Sequence, residues 1–343
     1  MSVANLSVGG ASVEPRVLVH ARLAVAIIAV VIVAAGLAAL SWMIVAAAGL
    51  PPPPTRNPFG TGAMGPSPSG ISAVILTVQA HFYAALTSAV VAIKTEGAQV
   101  TALATVGFLY GIFHAAGPGH GKGVIAGYIV ATGGSIARGL GLSLTAALLQ
   151  AFVAITLVAV FALLLNATSA SISAAANIVE LASFAAVAAL GTVLVWVKAG
   201  EFVRVAAAGL SNGKLGHDVN DSPGIMRAAT QSWRGMIAVV VAAGIRPCSG
   251  AIILLVFSLS QGLLVAGVIG ALAMALGTAI TTGTLAALTV FCQSLIRRVT
   301  GDGGIRGAIA FSGIEVLAAA FVMALGFALL AGQWVGGVPQ FLD

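Results

Sequence analysis

The sequence predicts an all-α fold, a polytopic transmembrane helical bundle of about seven spans, and three observations carry that expectation. Of 343 residues, 59% are hydrophobic and 7% charged, with a mean hydropathy of +1.10, which leaves too little charge to coat a soluble globule. The runs Leu23–Leu50, Leu140–Leu165, Leu181–Val197 and Leu263–Cys292 carry no charge and are long enough to cross roughly 30 Å of hydrocarbon as helix. The 15 basic residues stand singly in the gaps between apolar runs. They read as topology signals rather than a nucleic-acid patch, despite a net charge of +6.

Each element follows from local composition. Residues 1–21 form a short cytoplasmic tail, and residues 22–48 an anchor helix behind Arg16 and Arg22. At about 26 residues the anchor is too long for a typical cleaved leader, although "AAAGL" at Ala46–Leu50 leaves cleavage open. Residues 49–70, "GLPPPPTRNPFGTGAMGPSPSG", are an external linker too rich in proline and glycine to be helical. Residues 71–96 are an interfacial or membrane helix, apolar but interrupted by Gln79, His81 and Tyr83. Residues 97–198 make a first transmembrane half. A polar stretch from Lys198 to Arg234 supplies a cytoplasmic loop, residues 199–234, and residues 235–333 make a second half before a tail at 334–343. Arg16, Arg22, Arg138, the loop cations Lys198, Arg204, Lys214, Arg227 and Arg234, and Arg297, Arg298 and Arg306 then fall on one side, with the amino terminus inside.

Setting Pro247 over Pro118, an offset of 129, also aligns Gly250 with Gly121, Gly262 with Gly133 and Gly270 with Gly141. An odd number of spans between the two prolines would make the halves inverted repeats, each with a broken helix. That architecture places a substrate site between the breaks.

The first break lies in "FHAAGPGHGKG" (Phe113–Gly123). Gly117–Lys122 approximates a phosphate loop but is one residue short, ends in Gly123 rather than Ser or Thr, and follows no strand. A metal site suits it better. His114 and His120 are six residues apart, about 120° around an unbroken helix. Gly117, Pro118 and Gly119 let the helix open so that both imidazoles converge and freed carbonyls join them. Neutral imidazole suits nickel, cobalt, zinc and copper. The second break, "GIRPCSG" (Gly244–Gly250), sets Cys248, a soft ligand, beside Arg246, Pro247 and Ser249. A charge within a membrane segment faces a cavity or a partner. Lys122 either snorkels to the outer interface or repels a cation from a closed gate.

Other polar residues have plainer readings. His81 and Cys292 read as packing. Glu180 and Glu315 lie toward span ends, on solvated faces or in a proton relay. Thr278, Thr281, Thr282 and Thr284 read as helix contacts, with a pathway role as the alternative.

"FLYGIFHAAGPGHGKGVIAGYIVA" (Phe108–Ala131) together with "GIRPCSGAIILLVFSLSQGL" (Gly244–Leu263) closely resembles the NicO family of nickel/cobalt transporters and efflux systems. A looser likeness runs from about Ile71, where "QAHFYAALTSAVVAIKTEG" is similar to a segment preceding the family motif. The resemblance implies metal passage along the histidine-containing helix, here His114 and His120. The related permeases have an aspartate where this chain has Gly119, so a hard ligand is absent. Some efflux members carry a histidine-rich loop, whereas Lys198–Arg234 has only His217.

Together these readings make the chain a secondary transporter of divalent nickel or cobalt in the cytoplasmic membrane and not an enzyme, with export favoured. The metal set is His114, His120 and Cys248, and Gly117, Pro118, Gly119, Lys122, Arg246, Pro247 and Ser249 line or gate the path. The ion is cargo with no permanently bound cofactor, the bilayer is the other partner, no nucleic acid is involved, and a homo-oligomer is left open. Two other classes remain, a membrane thiol-disulfide electron carrier needing two cysteines that can meet, and a membrane subunit of a nickel/cobalt uptake complex.

Overall fold

The computed structural model describes residues 7–8, 11–12, 15–48, 71–116, 120–165, 168–210, 233–300 and 305–336. The expected external linker, most of the 199–234 loop, including His217, and the final tail lie largely or wholly outside them. Ser7–Val8 and Ala11–Ser12 form a minimal antiparallel ladder. Everything else regular is helix: α1 Pro15–Ala48, α2 Ile71–Glu96, α3 Val100–Ala116, α4 His120–Thr132 and α5 Ile136–Val158, which closes in a π-helical turn at Ala159–Leu164. Next come α6 Ser169–Leu210, α7 Trp233–Gly244, α8 Ser249–Ser260, α9 Leu264–Thr300 and α10 Ile305–Gly336.

Among the described residues five helical segments are long and apolar enough to span a bilayer, namely Arg16–Leu40, Ile136–Ala162, Ser171–Gly209, Leu264–Leu295 and Arg306–Gly332. The pair α7 and α8, bent by 58° at its break, makes a sixth. The segments Val100–Ala115 and Lys122–Thr132 are apolar but individually short. Large apolar side chains such as Ile27, Val31, Phe152, Val265 and Phe327 point outward, as befits surfaces that meet lipid.

The two halves are built alike. In each, a helix breaks, a short helix follows, and two long helices complete the unit: α3, α4, α5, α6 and then α7, α8, α9, α10. Gly133 and Gly262, the pair aligned in the sequence, close α4 and its counterpart α8 with φ of 69° and 78°, the left-handed geometry that glycine adopts without cost at a helix end. The halves exchange partners. The first half's α3 lies along the second half's α9, α7 lies along α5, and α6 pairs extensively with α10.

Close approach of α3 and α9 depends on residues without side chains. A Cβ at Gly107 would sit 2.8 Å from the Gly270 carbonyl oxygen, one at Gly111 would run into the Met274 carbonyl, and one at Gly277 into that of Phe108. Small residues let membrane helices meet at backbone contact, where dispersion replaces the hydrophobic drive. Gly111→Ala is therefore expected to destabilise by about 1–3 kcal/mol through overpacking, read as a lower thermal midpoint in detergent. Gly36→Ala on α1, with nothing within 4 Å of the added carbon, should leave that midpoint unchanged or slightly raised.

Lys198 does not begin a polar loop. Helix α6 continues to Leu210, and Lys198 is 1% exposed, its ammonium 2.7 Å from Glu201 Oε2 and 2.9 Å from Glu315 Oε2 on α10. Glu315 is likewise buried, not on a solvated face. An ammonium enclosed by two carboxylates is tolerated inside a bundle where an isolated one would not be.

Candidate metal site at two helix breaks

Proline builds the second break. Pro247 has no N–H to give to the Ala243 carbonyl four residues back, so the helix ends at Gly244 and restarts at Ser249. The carbonyls at this break are satisfied by side chains from other helices. Gln150 Nε2 on α5 donates to Ala243 O at 2.9 Å, and Ser183 Oγ on α6 donates to Ala242 O at 2.7 Å. Within a bilayer such broken backbone persists only where protein groups take over these bonds. On α3, short of the first break, Thr278 Oγ1 of α9 donates to Gly111 O at 3.3 Å and Thr281 Oγ1 to Ile112 O at 3.1 Å. Thr282 and Thr284 instead bond back to Thr278 and Ile280 within α9.

His114, in the last turn of α3, meets Cys248, at the start of α8. Cys248 caps the start of α8 in extended backbone (φ −71°, ψ 118°), and its sulfur faces α3 and α9. Its Sγ lies 3.8 Å from His114 Nε2 and 3.7 Å from Met274 Sδ. The imidazole stacks on Tyr110, one helical turn earlier, at 5.4 Å, and Phe82 of α2 covers Tyr110 and Phe113. Gly250 makes room for this stack, since a Cβ there would sit 2.9 Å from the Tyr110 hydroxyl.

Arg246 finds its partner on α6. Its Nη2 is 2.6 Å from Glu180 Oε1, and its guanidinium lies over the Phe184 ring at 5.3 Å. Glu180 and Phe184 are one helical turn apart, so a single face of α6 neutralises and covers the cation. Pro247 is buried and Ser249 exposed, while Lys122 is half-buried near the start of α4.

Gly117, Pro118 and Gly119 lie outside the described residues, and of His120 only its place as the first residue of α4 is described. The convergence of His114 with His120 is therefore not among the described contacts. Among the described residues no group of three His, Cys, Asp or Glu side chains is gathered as a metal set. Cys248 and Cys292 are both free thiols, and Cys292 is on an exposed face of α9 rather than packed inside. The reading of Cys292 as packing is thus corrected. Residues that sequence reasoning passed over include Met274, Tyr110 and Gln150. Gln150 was detectable as a lone amide in an otherwise apolar span, whereas a buried methionine gives no such signal.

The NicO family, described as high-affinity nickel-transport protein, matches this chain at residues 100–237 and again at 214–335. The matched regions together cover more than half of the chain and include both breaks. A protein of Haemophilus influenzae named "Putative nickel/cobalt efflux system" is 27% identical over 216 residues, covering 57% of this chain and 67% of that protein. No solved structure matches the chain significantly. With both helix breaks inside the matched regions, the chain belongs to the NicO family of nickel-transport proteins.

Proposed function

We propose that this protein carries divalent nickel or cobalt across the cytoplasmic membrane as a secondary transporter, and that it exports them. One observation carries the reading: His114 near the end of α3 and Cys248 at the start of α8, 134 residues apart in the chain, come within 3.8 Å. Imidazole nitrogen and thiolate sulfur suit late first-row metals and not magnesium or calcium. An ion entering the bundle must exchange its hydration shell for protein donors; these two side chains supply two of them, and His120, Gly117, Pro118 and Gly119 are the further donors the sequence offers.

Arg246 sits at the second break with its charge balanced by Glu180. A bare guanidinium there would repel a cation, so the pair sets the local field that the ion meets. Pro247 and Ser249 shape the turn, and Lys122 guards the other break. The interlocked halves provide the two-state element, since rocking one half against the other would expose the site to alternate sides. An ion gradient supplies the energy.

The direction is tested by metal content. Cells lacking the protein should hold more nickel and cobalt than the parent after a metal challenge, and expression in a host without an exporter should lower its content. Reduced content in the deletion strain overturns export.

A further inference from the structure

Of the side chains at the Cys248 sulfur, one is a thioether. Met274 is 1% exposed and fixed opposite Gly111 at the tightest part of the α3–α9 interface. Its thioether is 3.7 Å from the Cys248 sulfur, on the same centre that His114 approaches at 3.8 Å. Bonds of about 2.0 Å to nitrogen and 2.3 Å to sulfur, at angles between tetrahedral and trigonal, put a nitrogen and a sulfur about 3.5–3.7 Å apart and two sulfurs about 3.8–4.0 Å apart. Each observed separation, 3.8 Å for nitrogen and sulfur and 3.7 Å for the two sulfurs, lies within about 0.1 Å of the matching edge.

Resting on the reading of this centre as the metal site, we infer that Met274 is its third donor and that the His114, Cys248 and Met274 set binds a soft, low-coordinate cation, cuprous copper, as well as the divalent ions. Two arguments support the chemical class. Thiolate and thioether together favour Cu(I) over harder ions. The set also brings a single negative charge, the thiolate, while the carboxylate held at this break, Glu180, is engaged by Arg246 at 2.6 Å. A monovalent ion on one thiolate gives a neutral complex, and burying net charge in the membrane is costly.

The test uses the full-length protein in detergent, purified without a polyhistidine tag. It is titrated with Cu(I) under anaerobic ascorbate against a chromogenic cuprous chelator. The wild type should bind one Cu(I) per chain, with an absorption-edge fine structure of two sulfurs and one nitrogen. Met274→Leu, which conserves volume, should weaken binding by at least about tenfold and drop one sulfur from the shell. Failure of the wild type to bind, a single sulfur in its shell, or unchanged affinity and sulfur count in Met274→Leu overturns the inference. Nickel and cobalt transport is measured separately on the same proteins, so loss of the transport reading with copper binding intact, or the reverse, is distinguished.

Discussion

Nickel and cobalt transport is expected to fall by at least about 100-fold in His114→Ala and in Cys248→Ser, with the protein still folded and inserted. Removing a group that merely orients a metal ligand costs about 10–100-fold in affinity, and these substitutions remove ligand atoms themselves. Serine keeps the size of Cys248 but replaces a soft sulfur by a hard, neutral hydroxyl, a poor donor for these ions. Cys292→Ser, on an exposed face of α9, should transport at wild-type rate. Metal accumulation in cells, normalised to protein in the membrane, provides the measurement. The same variant separates the thiol-disulfide alternative, because Cys248→Ser with intact metal tolerance and lost redox transfer would favour the electron carrier.

The largest effect on stability is expected at Lys198. Lys198→Met would leave Glu315, 2.9 Å away on α10, and Glu201, 2.7 Å away on α6, enclosed without their shared cation. Breaking a buried pair by removing one member costs about 3–5 kcal/mol, enough to cut the yield of folded protein and lower its thermal midpoint in detergent sharply. Combining Lys198→Met with Glu315→Leu and Glu201→Gln should recover most of the loss, since replacing a whole buried ionic cluster by neutral groups is near neutral. A triple variant as unstable as the single one would show that the lysine stem, not charge pairing, sets the effect.

These residues also show how far the sequence is legible. Helical class followed from the length of the apolar runs, because a chain in hydrocarbon must satisfy its backbone internally. The second break was readable because Pro247 removes a donor wherever it falls, and the likeness of the halves because Gly133 and Gly262 both occupy positive φ. Which charged residues are buried was not legible. A lysine after an apolar run reads as the start of a loop, and only the packing of α6 on α10 shows that Lys198 faces Glu315 117 residues later. Met274 was hidden for the opposite reason, since one more apolar side chain in an apolar helix carries no contrast. Its place beside Cys248 arises from the glycine contact that draws α9 onto α3.

The exchange of partners between halves bears on how the protein is made. The hydroxyls that bond to Gly111 and Ile112 belong to Thr278 and Thr281, 167 and 169 residues downstream, and Gly270 and Gly277 join the same contact. When α3 leaves the ribosome, none of these has been synthesised. The early helices must wait in the bilayer with an open seam until the last third of the polypeptide arrives, so a truncated product ending before α9 should be a substrate for membrane quality control rather than a half-working unit.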